Sequence, residues 1–154
     1  MNSSKINIFS GDARKDNKGI LKFVNDFTFK GVKRFYHIQG LKRGTIRAFH
    51  GHMKEAKYAY VLTGKILLCA VPLDNSQIPS KNLHVERFVL DSDNPKIVCI
   101  PRGYANGFKF LTKNAQILFF STKTLEDSKV DDYRFPYDYW GKDIWKVKKR
   151  KISY

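Results

Sequence analysis

Acidic residues are scarce in this chain of 154: Asp and Glu number 14 against 29 Lys and Arg, which leaves a formal net charge of +15. Cysteine is scarcer still. Only Cys69 and Cys99 occur, each inside an apolar run (ILLCAV and IVCI), so they read as buried thiols and exclude a disulfide scaffold or a paired-cysteine zinc site. No run of about 18 apolar residues is present, which excludes a membrane-spanning helix. The opening MNSSKINIF lacks the apolar stretch of a secretory signal. A soluble, cytoplasmic protein without a membrane partner is therefore expected. Repeats, linkers and low-complexity tracts are also missing, so the expectation is one domain over residues 1–145 with a basic tail, 146–154, that contains KVKKRK. The remaining lysines are scattered, with no basic stripe interleaved by aromatics. That excludes nucleic acid as partner and favours a small anionic ligand.

What is present is a core's worth of apolar residues, 42% of the chain, with 14% aromatic. Short runs rich in β-branched and aromatic residues fall at 5–9, 20–24, 32–39, 57–62, 65–71, 84–90, 97–100, 105–111 and 116–122. Turn-rich pieces divide them: the polar 11–19, the Thr63-Gly64 hairpin and the loop 72–82 with its two prolines. Only 124–130 has a weak helical pattern. Strands at this spacing without amphipathic helices between them predict an all-β antiparallel barrel. The segment from Asp131 to Trp145, DDYRFPYDYWGKDIW, carries acids and aromatics without a strand period. It is expected to pack over the barrel mouth or onto a partner subunit.

One spacing stands out. Between Gly44 and Gly64 the chain reads Gly44, five residues, His50, one residue, His52, two residues, Glu55, eight residues, Gly64. In a strand, alternate side chains share a face, so His50 and His52 point into one cavity. The spacing resembles the first signature of the cupins, small jelly-roll β-barrels in which two histidines and a glutamate bind a metal. The slot for that carboxylate falls on Ala56 or Lys57, and an ammonium there repels a divalent cation. The second cupin signature is matched by Pro101-Arg102-Gly103-Tyr104-Ala105-Asn106, with Asn106 where the third histidine belongs. A cupin barrel without metal or other cofactor is therefore expected. A metal-dependent reading would rest on His50, His52 and Glu55.

Beyond the general pattern, DNKGIL (residues 16–21), RAFHGH (47–52), KYAYVLTGKI (57–66), IPRGYANGF (100–108) and DDYRFPYDYW (131–140) occur in the order found in dTDP-4-dehydrorhamnose 3,5-epimerases, which the chain resembles. The resemblance implies a homodimer acting on a nucleotide-linked 4-keto sugar for surface polysaccharide. His50 would be the base, Lys57 the cation facing the developing oxyanion, and Asp132, ahead of Asp131, the carboxylate that orients His50. Arg47, His52, Asn106, Phe119, Tyr133 and Lys18 would contact substrate. Arg47 falls on the opposite face from His50 in a regular strand, so either the strand bulges or Arg47 serves a neighbouring subunit. Phe119 and Phe120 stand where the epimerases have a proton-donating tyrosine, and Tyr104 or Tyr133 are the substitutes expected. The His-x-His pair and KRFYHI (33–38) are similar instead to the 3,4-ketoisomerases of the same sugars. A sugar-nucleotide-binding cupin without turnover is the third reading.

Overall fold

The computed structural model describes residues 5–148; of the basic tail, residues 149–154 lie outside the described residues. The first half forms β1 (Asn7–Ser10), β2 (Asp12–Asp16), β3 (Gly19–Phe23), β4 (Arg34–Gln39), β5 (Ile46–His52) and β6 (Lys57–Thr63). The second half forms β7 (Lys65–Pro72), β8 (Glu86–Asp91), β9 (Lys96–Ile100), β10 (Tyr104–Phe110), β11 (Gln116–Ser121) and β12 (Tyr133–Arg134). Among the described residues helix is confined to α1 (Leu125–Lys129) and one 3-10 turn at Asp143–Trp145. The hydroxyl of Thr124 starts α1 by accepting from the Asp127 amide at 3.2 Å, with Glu126 and Asp127 in the first turn.

Two five-stranded antiparallel sheets, ordered β1-β9-β6-β11-β4 and β12-β5-β10-β7-β8, face each other. This is the all-β cupin architecture that the strand spacing predicts. Alternation fills the space between the sheets: Ala59 and Val61 from β6, Val98 and Ile100 from β9, and Ile117 and Phe119 from β11 meet Ile66, Leu68, Phe108 and Phe110 from the other sheet. Among the described residues no helix is long and apolar enough to cross a membrane.

The central strand β7 is apolar on both faces because it serves two cores. Ile66, Leu68 and Ala70 point between the sheets, whereas Leu67, Cys69 and Val71 point outward. The outward set is covered by the closing segment, whose Phe135, Trp140 and Trp145 bury their rings against it and against Phe49. Full burial of one large apolar side chain is worth about 1.5–3 kcal/mol, so these rings anchor the segment firmly. Their polar ends are satisfied too: the Trp140 indole donates to Ser80 O at 3.0 Å and the Trp145 indole to Tyr137 O at 2.8 Å. The segment expected over the barrel mouth or on a partner thus lies mainly across the outer face of the second sheet. Aromatics without a period are suited to that role, because a segment crossing a sheet has no ladder of its own to alternate along.

Three other expectations need correction. The turn at Thr63-Gly64 closes no hairpin: β6 pairs with β9 and β11 in the first sheet and β7 with β8 and β10 in the second, so the chain crosses between the sheets there. The polar stretch 11–19 contains β2, which pairs with β3 in an exposed hairpin. Its strand character is hidden from the sequence because neither face is buried. Cys69 is buried, and burial pushes its thiol up to about 12, but Cys99 is only half-buried, on the outer face beside Tyr58. Neither forms a disulfide.

Candidate active site

A cavity of about 320 Å³ opens between the sheets. Its position follows from the strands: β4 turns Arg34, Tyr36 and Ile38 inward at alternate positions, and β5 turns in His50 and His52. Lys57 at the start of β6, Asn106 and Phe108 on β10, and Phe119 on β11 complete the interior wall. The rim comes from α1 and the chain after it, through Lys129, Asp132 and Arg134.

Arg47 also lines the cavity, and the register explains how. Asn106 pairs with His50, but Phe108 pairs with Arg47, so two steps along β10 match three along β5. The extra residue is a β-bulge that returns Arg47 to the face of His50. Gly107 lies against this bulge, where a Cβ would sit 2.3 Å from that of Ala48, so only glycine lets the strands approach.

His50 and Asp132 meet across the mouth, with Nδ1 3.4 Å from Oδ1. The His50 side chain is 41% exposed, accessible to a ligand rather than sealed in the core. Burial lowers its pKa from the ordinary 6.5 despite the opposing Asp132, so the imidazole is neutral at pH 7. Burial acts to raise Asp132, but hydrogen bonds from Arg134 and His50 outweigh it and hold the carboxylate below its usual range. Asp131 is engaged elsewhere: its two oxygens accept from the amides of Met53 and Lys54 at 2.9 and 2.8 Å, fixing the turn between β5 and β6. Of the two acids, Asp132 is the one beside His50.

Deeper in the cavity Lys57 is buried, with Nζ 3.2 Å from His52 Nε2. Burial lowers the lysine, and Glu55 opposes that shift. Burial and then Lys57 push His52 down to about 4, leaving it neutral. Glu55 lies beneath them, 2% exposed, hydrogen-bonded to the Ser121 hydroxyl and 3.4 Å from Arg34 Nη2. Among the described residues no three His, Cys, Asp or Glu side chains cluster where they would hold a metal ion.

Of the residues expected from the sequence, His50, His52, Lys57, Asp132, Arg47, Asn106 and Phe119 converge on this one cavity. Two do not. Tyr133 turns away onto the second core because β12 pairs with Gly51 on the edge of β5, and Lys18 sits exposed at the tip of the β2–β3 hairpin. Tyr104 is buried outside the cavity lining as well. The tyrosine that does line it is Tyr36, which stacks on Phe119 at 5.3 Å and lies under the Arg34 guanidinium at 4.9 Å. Burial, and next Glu55, raise its pKa, so its phenol keeps its proton. Arg34 and Tyr36 were legible from period two in KRFYHI, which puts both on the face of Ile38.

Residues 12–135 match the family model for dTDP-4-dehydrorhamnose 3,5-epimerase. The chain is 28% identical over 96 residues to the spore coat polysaccharide biosynthesis protein SpsL of Bacillus subtilis (strain 168), covering 62% of each. It thus spans less than two thirds of the length of that relative. In fold it is similar to ChmJ, a 3'-monoepimerase from Streptomyces bikiniensis solved with dTDP-quinovose, with TM-score 0.73 at 17% identity over 96% of this chain and 77% of that one. It is also similar to a 3,4-ketoisomerase from Helicobacter canadensis, with TM-score 0.64 at 16% identity over 88% of this chain and 94% of that one.

Proposed function

Since the chain belongs to the dTDP-4-dehydrorhamnose 3,5-epimerase family, we propose that it is an epimerase of a nucleotide-linked 4-keto(-6-deoxy) hexose. The observation that carries this reading is the neutral, accessible His50 held by Asp132 at the mouth of a cavity with Lys57 inside it. A hydrogen on carbon beside a ketone is weakly acidic, and removing it calls for a base poised near neutrality. His50 takes that proton, and Asp132 steadies the imidazolium that forms. Negative charge then moves to the ketone oxygen, where the Lys57 ammonium stabilises it in a water-poor interior. The Tyr36 phenol, protonated at neutral pH, is the group available to return a proton to carbon.

Arg47, Arg34 and Arg134 at the cavity supply the positive charge that a diphosphate needs, and planar guanidinium groups suit its oxygens. Asn106, Phe119 and His52 then bound the sugar. The family and the SpsL relative together support a thymidine nucleotide and a role in polysaccharide biosynthesis. Two free thiols accord with a cytoplasmic location.

A second reading, 3,4-keto isomerisation, is favoured by one observation. Phe119 occupies β11 where an epimerase-like tyrosine is expected, and the cavity tyrosine comes from β4 instead. Isomerisation through an enediol keeps the proton on one face and dispenses with an opposite acid. Proton NMR of a dTDP-4-keto-6-deoxyhexose incubated with the protein in D2O tests both. Deuterium entering at C3 or C5 is the result expected of the epimerase, whereas a keto isomer would carry it at C4, which takes up the proton as C3 becomes the carbonyl; coupling constants of the product separate the two. Binding without exchange would leave a non-catalytic sugar-nucleotide cupin.

The protein acts as a homodimer on this reading. Ile20 and Leu21 on the β2–β3 hairpin and Phe35 on β4 are 59%, 64% and 68% exposed, more apolar surface than a lone barrel needs to show. Light scattering is expected to give twice the 17.9 kDa chain mass, and a monomer at micromolar concentration would refute the assembly.

A further inference from the structure

Glu55 has no part in the proton abstraction above, yet its side chain is 0% exposed. Water cannot solvate its charge, so the protein must compensate it. One oxygen is satisfied: Oε1 accepts from the Ser121 hydroxyl and lies 3.4 Å from Arg34 Nη2. The other, Oε2, accepts no hydrogen bond although it is only 3.2 Å from His52 Nε2. That same Nε2 is 3.2 Å from Lys57 Nζ.

The far side of the His52 ring decides what Nε2 can do. Nδ1 lies 3.0 Å from the carbonyl oxygen of Gly51, which can only accept, so Nδ1 carries a hydrogen. Nε2 then has two options. With its lone pair free it accepts from the Lys57 ammonium, and Oε2 is left over. Once protonated it donates to Oε2, and Lys57 becomes a neutral amine. Both arrangements hold one negative and one positive charge. They differ by the passage of a single proton between Nζ and Nε2, in which one N–H bond breaks and another forms.

We propose that Glu55, His52 and Lys57 form a proton-sharing triad in which Glu55 is the positioning residue, its buried charge keeping one proton on the Lys57–His52 pair beside the ketone of a bound sugar. This rests on the reading of the cavity as a site of proton abstraction. The unpaired Oε2 is then the acceptor for the second arrangement. Other charges act on the pair. Arg34 from β4 works against a second cation, while Asp131 and Asp132 from the closing segment favour one. His50 from β5 is neutral and leaves the balance unchanged. Burial alone drives both Lys57 and His52 toward their neutral forms, so the carboxylate beneath them is what retains the proton.

Nitrogen-15 NMR of the histidine rings in the intact protein, without substrate, tests this directly. The wild type is expected to show His52 as the Nδ1–H tautomer, with Nε2 shifting at alkaline pH as Lys57 gives up its proton. In Glu55→Gln that alkaline step should fall by about one pH unit or more. The alkaline limb of kcat/KM should move with it while KM stays within about twofold, a pattern that loss of packing alone does not produce. An Nε2–H tautomer in the wild type, or an alkaline step unmoved in Glu55→Gln, would overturn the triad. Should the variant not fold, the tautomer and the alkaline response of the wild type decide by themselves. An intact, Glu55-dependent step without deuterium exchange would sink the enzymatic reading and leave the triad. Exchange with an unmoved limb would do the reverse.

Discussion

His50→Ala is expected to lower turnover by about 10³-fold, the middle of the range for loss of a general base, and to abolish deuterium exchange into the sugar. Nucleotide binding should survive, because the arginines around the cavity are untouched. The reason lies in the state of the ring. His50 sits at the mouth with its side chain 41% exposed, so alanine there removes a reactive group and not a packed one. Its pKa below the ordinary 6.5 also fixes the pH dependence in the wild type. A protonated imidazole cannot accept the substrate's proton, so kcat/KM should fall as pH drops through a value below 6.5 and stay level from there to neutrality. Isothermal titration with a dTDP-sugar beside the exchange assay separates the two roles. A variant that keeps exchanging deuterium at the wild-type rate would remove His50 from the chemistry.

Lys57→Met should cost about 10²–10³-fold in kcat, the scale on which one oxyanion-stabilising donor acts. Methionine keeps the length and most of the volume of the lysine stem, so the packing at the start of β6 is preserved. What it deletes is the positive charge that the proposed mechanism sets against the developing oxyanion. On the proposed reading the arginines around the cavity hold the nucleotide, so KM should change much less than kcat, the signature of an interaction made mainly in the transition state. Thermal unfolding of the variant provides the control. If kcat falls only in proportion to lost folded protein, Lys57 is a buried structural cation and the oxyanion is stabilised elsewhere.

Much of this site was legible in the sequence because strand periodicity is local. Two histidines one residue apart share a face in any extended chain, and the apolar run that ends before Gly64 puts Lys57 at the head of the next strand. Arg47 shows the limit. Its parity was wrong for a regular strand, and only the pairing of Phe108 with Arg47 reveals the inserted residue. Tyr36 was missed for another reason: period two says that it faces inward with Arg34, but which strands look at each other across a cavity depends on contacts far apart in sequence. Glu55 offered the metal reading because spacing cannot tell a ligand from a carboxylate already bound to Ser121 and Arg34. The closing segment carried no period at all, so neither its path over the second sheet nor the exit of Tyr133 from the site followed from its residues.

That path has a consequence for the order of assembly. A chain emerging from the ribosome exposes β5 and β7 long before residues 131–145 are made. Until then the edge of β5 has no β12 partner, Phe49 and the outward side chains of β7 face water, and His50 has no carboxylate. An unpaired strand edge beside an apolar face invites association with other chains. The late segment removes both hazards and delivers Asp132 in the same docking event, so the barrel gains its His50–Asp132 pair only when it has ceased to be sticky. A nascent or truncated chain that ends before this latch lacks the His50–Asp132 pair and is vulnerable, which makes it an easy mark for quality control.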